Sequence, residues 1–342
     1  MQVFQEVNTL LSKQIPFVCY VKPNENFWNL LVQQNDELVE FTNQSGFVFM
    51  PFHEGNQVVI PFEGNSFSQG NLENLEKKAA ENFTPKHNQK ASFENLVSSG
   101  IFSIQNREFE KVVLSRKIVL KEQIAIVASF ENLIATYPTA FCYLFFHPKI
   151  GHWMGATPEQ LIKINQNQFE TVALAGTQLY SENVIWPNKE VEEQQFVTEY
   201  IKIKVKDKVN KLKVTDPKTI KAGNLVHLKS FISGELTADF QTNDLIKSLH
   251  PTPAVCGLPK ENTIDFILKN EDYNRKYYAG FLGEYNINNQ TNLFVNLRCL
   301  EVENDIVNIY VGCGITKDSN PEKEFIETEY KSMTMRNVLV SK

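Results

Sequence analysis

Two glutamates one helical turn apart, with a lysine four residues further on, stand in the run KEFIETEYKSM: Glu324, Glu327 and Lys331. On a helix they share a face. Two carboxylates and an ammonium on one stripe suit a hard cation held together with an anionic ligand. The plain alternative is a solvated face with ordinary Glu–Lys pairs. The same spacing recurs at Glu190 and Glu193 in KEVEEQQFVTEYIKIKVKDKVNKL. A metal site usually draws its oxygens from separate elements, and magnesium takes one or two carboxylates plus water and substrate. The repeated pair therefore points to a shared oxygen-rich site.

Other single residues are out of place for a solvated surface. Lys111 precedes Val112, Val113 and Leu114, so its ammonium is either buried or snorkels to water. Glu159 follows Ala156, Thr157 and Pro158 and precedes an apolar strand. That setting favours a raised pKa, unless the residue is a surface strand end. Arg298 among apolar neighbours wants a buried or bound carboxylate. Gly176, Gly312 and Gly314 permit close backbone approach to a ligand.

The elements that must position these residues are legible in outline. Pro321 suits a first helical position and Asn320 a cap, so residues 323–333 read as helix. Residues 189–212 read as one long helix, 129–136 and 71–83 as shorter ones. Phe93, Leu96, Val97, Gly100, Ile101 and Ile104 have helical spacing. They lead into EKVVLSRKIVL, where the period falls toward two, so Lys111 lies at a helix-to-strand transition. FVFMPF and QVVIPF, ended by Pro51 and Pro61, read as edge strands or strand ends. FCYLFFHP reads as a strand buried on both faces. WMGATPEQLIKI reads as the next strand, with QFETVALAGTQ pairing back on it. VHLKSFISGEL reads as a strand, and DLIKSLHPTPAVCGLP as a helix running into a loop. PKENTIDFILKN opens another helix, and YAGFLGEYNI, TNLFVNLRCLEV and DIVNIYVGCGIT read as an antiparallel meander, with Arg298 in its middle strand. The polar run TPKHNQK over 84–90 is the expected boundary between an N-terminal segment and the rest.

The chain has 342 residues, 42% hydrophobic and 22% charged, enough for a large core. Its net charge of −6 gives no electrostatic footprint for nucleic acid, so an anionic small molecule needs a local cationic site. Five scattered cysteines without a CxxC pair indicate neither a disulfide framework nor a zinc knuckle. No signal peptide or membrane-spanning run is evident, and the expected setting is cytoplasmic.

KVVLSR, GATPE, LAGT, LHPTPAVCGLP, YYAGFLGEY, LRC, VGCGI and ExxETEYKSMTM, in this order, resemble the chorismate-using enzymes, and within them the isochorismate synthases of menaquinone or siderophore pathways. The resemblance covers roughly residues 92–340. It implies a single α+β domain, mostly antiparallel sheets in the core with helices packed outside. Residues 1–90 would be a divergent segment integrated into that fold, and 91–342 the chorismate-binding catalytic region. It implies magnesium-dependent conversion of chorismate to isochorismate: water adds at ring position 2, the double bonds shift, and hydroxide leaves position 4. Lys111 would match the general base and Glu159 the general acid. Glu193 and Glu327 would match the magnesium ligands, with Glu190 and Glu324 beside them. Arg298 and Lys331 would match the groups gripping the substrate carboxylates, helped by backbone at Gly176 and Gly312. His227 falls at a family site position, its alternative being a satisfied core histidine. A lysine base near neutral pH must titrate well below the ordinary value of about 10.4, which burial and a nearby cation favour. Glu159 needs the opposite shift, so it is expected farther from the metal than the ligand glutamates.

Related anthranilate synthases carry an amide where this chain has Lys111. The lysine is shared with salicylate synthases, which go on to eliminate pyruvate, and with aminodeoxychorismate synthases. No glutaminase domain or nucleophilic cysteine motif is present, so no glutaminase subunit is expected, and a monomer is. A reading of another class is a non-catalytic acidic binding protein whose glutamate pairs only keep helices soluble.

Overall fold

Seven helices and eighteen strands make up the described part of the chain in a computed structural model, which describes residues 2–72, 75, 77–80, 89–222, 225–237, 240–303 and 306–342. In order come α1 (Gln2–Ser12), β1 (Phe17–Val21), β2 (Phe27–Val32), β3 (Gly46–Met50), β4 (Val58–Pro61), β5 (Ser66–Asn71), α2 (Lys90–Gln105), β6 (Lys111–Leu120) and α3 (Ile126–Thr136). Then follow β7 (Phe141–His147), β8 (Gly151–Thr157), β9 (Gln160–Asn165), β10 (Gln168–Leu179), α4 (Asn188–Val205), β11 (Val209–Val214), β12 (Lys218–Ala222) and β13 (Leu225–Leu236). The remainder is α5 (Thr242–Leu249), β14 (Gly257–Leu258), α6 (Lys260–Asn270), β15 (Phe281–Ile287), β16 (Gln290–Val295), β17 (Cys299–Glu303), β18 (Ile306–Ile315) and α7 (Pro321–Arg336).

One sheet has the order β14-β6-β18-β17-β8-β7-β1-β2-β5, the other β11-β13-β10-β9-β16-β15-β3-β4 with β12 beside β13. Every strand pair is antiparallel. This is the α+β architecture expected. β7 shows why its sequence lacks alternation. Phe141, Tyr143 and Phe145 face the space between the sheets with Phe47, Phe49 and Trp153. Cys142, Leu144 and Phe146 pack beneath α1 and α3 with Phe4, Phe130 and Leu133. Both faces are dry, so both are apolar. All five cysteines are buried and free. Among the described residues no helix is long and apolar enough to cross a membrane.

Four sequence expectations need correction. WMGATPEQLIKI is two strands in different sheets, broken at Pro158 and Glu159, because proline has no N–H for a ladder. Arg298 is not mid-strand. It sits between β16 and β17 at φ 49°, where the chain crosses back from the second sheet to the first. The two crossings are bonded together. Thr157 Oγ1 donates to the Val295 carbonyl at 2.6 Å, and the Val295 N–H donates to the Glu159 carbonyl at 2.9 Å. The Ala156 N–H donates to the Arg298 carbonyl at 3.1 Å. The long helix stops at Val205, and 209–214 is strand, where lysines alternate with Leu212 and Val214. Of the helix expected over 71–83, Asn71 ends β5 and residues 72, 75 and 77–80 are not helical. The rest of that span, and residues 84–88 of the expected boundary loop, lie outside the described residues.

α7 begins as predicted. Pro321 is in its first turn and the Asn320 side chain accepts from the Lys323 N–H at 3.1 Å. α7 packs on α2 and β18, while α4 packs on β10 and β13, so each sheet contributes one glutamate-bearing helix.

Candidate active site

Between these two helices, the sheet crossings and the loop before β14 lies a small cavity of about 70 Å³. Of the residues singled out from sequence, Glu159, Gly176, Glu193, His227, Arg298, Gly312, Gly314 and Lys331 line it. The other four stand behind the wall, three of them tied directly to a residue that lines it. Lys111 is fully buried and its Nζ lies 2.9 Å from Glu193 Oε1. Glu327 Oε1 lies 2.6 Å from Lys331 Nζ. Glu190 Oε2 accepts the Thr177 N–H at 3.0 Å. Glu324 Oε1 is 2.6 Å from Lys189 Nζ, a residue the sequence reading passed over.

Local backbone sets these positions. Gly176 has φ +72° and stands where β10 slips register against β13. A Cβ there would lie 3.2 Å from Glu190 Cβ, so a glycine lets α4 sit close. Gly314 leaves room for the Lys111–Glu193 pair, since a Cβ would come within 3.1 Å of Lys111 Cε.

Charges here are strongly perturbed. Burial raises Glu159 to about 7, against Lys111, Lys331, Arg298 and Lys229, which pull it down. Burial also pushes Glu193 up, but Lys111, Lys189 and Lys331 outweigh it and hold that carboxyl below its ordinary value. Glu190 is raised to about 7 by burial and by Glu193 and Glu327, against Lys189 and the Thr177 N–H. Glu324 is raised by burial and by Glu327.

His227 Nδ1 donates to the Gly176 carbonyl at 2.9 Å, with Thr177 Oγ1 3.2 Å away. Burial, Arg298 and Lys331 lower its pKa to about 3. The ring is therefore neutral, and its bare Nε2, buried without a partner among the described residues, offers an acceptor to the cavity. Arg298 Nη1 is likewise buried and unpartnered, a donor suited to a carboxylate. Lys331 Nζ also donates to the Gly312 carbonyl at 2.9 Å.

Among the described residues no three acidic, histidine or cysteine side chains gather closely enough to hold an ion as they stand. Glu193, Glu324 and Glu327 are each held by a lysine, and Glu190 by a backbone N–H. The donor chemistry nonetheless fits magnesium. Carboxylate oxygens come from two separate helices, and the repulsion from Glu193 and Glu327 that adds to burial in raising Glu190 is what a hard cation relieves.

Residues 56–340 match the family described as chorismate binding enzyme. The chain belongs to the chorismate-binding enzymes. Within them it is 27% identical over 263 residues to isochorismate synthase EntC of Escherichia coli (strain K12), covering 73% of this chain and 67% of that one. Anthranilate synthase component 1 of Saccharolobus solfataricus is also 27% identical, over 275 residues, covering 73% of this chain and 62% of that one. The fold is that of DhbC from Bacillus anthracis, with TM-score 0.82 and 22% identity over 98% of this chain and 99% of that one.

Proposed function

We propose that this chorismate-binding enzyme is an isochorismate synthase. The observation that carries the reading is a pair of oppositely suited groups at one cavity. Glu159, in the wall, is buried and holds its proton to about 7. Lys111, fully buried, lies behind the Gly314 wall. A carboxyl protonated near neutral pH is a competent general acid for a departing hydroxyl, and Lys111, paired with the wall residue Glu193, is the group assigned as base for an incoming water. Chorismate carries two carboxylates, and Arg298 Nη1 and the Lys331 ammonium are the donors available to them. His227 Nε2 can accept from a ring hydroxyl but, being neutral, competes for no carboxylate.

Glu193 and Glu327, with Glu190 and Glu324 beside them, are the residues that would hold magnesium. The bound ion would supply positive charge to a substrate carboxylate. Residues 91–342 carry all these groups. Lys111, where an anthranilate synthase is expected to carry an amide, argues against that reaction, and the LAGT stretch and the LHPTPAVCGLP loop favour addition of water over the aminodeoxychorismate synthases that share the lysine. The test is incubation of the pure chain with chorismate and magnesium, followed by product identification. Isochorismate alone is the expected product. Salicylate with pyruvate would make the chain a salicylate synthase, anthranilate in the presence of ammonia would make it an aminating enzyme, and unchanged chorismate would overturn an enzymatic reading.

A further inference from the structure

Lys189 has no task in the reaction just described, yet it stands between carboxylates of both glutamate pairs. Its Nζ lies 2.6 Å from Glu324 Oε1 on α7 and 3.7 Å from Glu190 Oε1 on its own helix. Its side chain is 17% exposed and is absent from the cavity wall. It therefore joins α4 to α7 where the two glutamate pairs face each other. Lys111 and Lys331 each hold one carboxylate and also approach or line the cavity. Of these three lysines, Lys189 is the one that contacts a carboxylate on each of the two helices and does not line the cavity.

We propose that Lys189 is a built-in competitor of the divalent cation, a positioning residue that engages Glu324 and Glu190 so that the metal alone is held weakly. The inference rests on reading the glutamates as the metal site. An ammonium beside two candidate ligands occupies oxygens that a cation would use, and repels it as well. A dianionic substrate offsets that excess positive charge, so metal and substrate each tighten the other's binding. The device keeps the site from being locked by metal before substrate arrives.

The test is binding of Mn²⁺ alone, without substrate, at mildly alkaline pH, followed by electron paramagnetic resonance. Wild type is compared with Lys189→Met and Lys189→Arg, with circular dichroism and thermal melting to check folding. Lys189→Met is expected to bind Mn²⁺ roughly tenfold more tightly, and Lys189→Arg to match wild type. Lys189→Gln replaces the methionine variant if that one does not fold. Unchanged or weaker Mn²⁺ binding in a folded neutral variant, beside a wild type that binds, would overturn the proposal while leaving the metal reading intact. Absence of saturable binding in every protein at millimolar Mn²⁺ would remove the metal reading and this inference with it.

Discussion

Burial raises the Glu159 carboxyl to about 7 from an ordinary 4.5, against the pull of Lys111, Lys331, Arg298 and Lys229. The folded state thus keeps a proton that the unfolded chain releases between those values. The stability this confers is complete below about 4.5 and is lost as pH rises through about 7. The loss amounts to roughly 3 kcal/mol. Glutamine mimics the protonated form, so Glu159→Gln should exceed wild type in stability by up to roughly that amount above neutral pH, the gap closing in acid. Turnover should fall by about 10²–10⁴. Urea midpoints across pH check the first part, and an unchanged gap at both ends would show that burial does not hold the proton. Gly314→Ala tests the neighbouring pair differently. Its Cβ would come 2.3 Å from Glu193 Oε1, the end of a flexible side chain, so the fold can yield while the Lys111–Glu193 contact cannot persist. Activity should drop sharply with little change in melting temperature. A matching fall in both would mean that the glycine serves the fold.

α7 carries Glu324, Glu327 and Lys331, and its entry is fixed by the Asn320 cap. Asn320→Ala should cost about 1 kcal/mol and Asn320→Asp should restore it. Because fraying there loosens Glu324 first, the alanine variant should also need more magnesium for half-maximal rate. An unaltered magnesium requirement would separate the cap from the site. This helix was legible because Pro321, Asn320 and the i, i+3, i+7 spacing are local signals, as was the step from α2 to β6. WMGATPEQLIKI reads as one strand because strand propensity runs through both halves; Pro158 marks the break, and the sheet partners, β8 with β7 and β9 with β16, put the halves in different sheets. Arg298 was placed mid-strand for the same reason, since its neighbours are apolar whether the chain stays in one sheet or crosses to another. The end of α4 was overrun because Lys202, Lys204, Lys206 and Lys208 are good helix formers, and the alternation that wins at Val209 needs β13 beside it.

On the scale of the molecule, the site exists only where the sheets meet. Family motifs named the individual residues, but Lys189 became visible only once α7 was set against α4, 135 residues away in sequence. The exposed lysines 211, 213, 218 and 221 on the edge strands β11 and β12 have a bland reading in the same frame, as charges that discourage edge pairing. The core between the sheets is contiguous with the cavity. Phe49, fully buried, stacks 4.5 Å from Phe145 and 4.2 Å from Tyr277, and meets Trp153 at 5.9 Å. Trp153 in turn stacks 5.3 Å from Tyr310, a cavity wall residue. Phe49→Ala should therefore cost roughly 3–5 kcal/mol through the void it leaves. If the sheets form one cooperative unit, urea curves from far-ultraviolet circular dichroism, near-ultraviolet circular dichroism and residual activity should shift together. Curves that separate, with activity lost at lower urea than strand content, would mean that the sheets part before they melt. The cavity would then depend on docking of two units rather than on a single core.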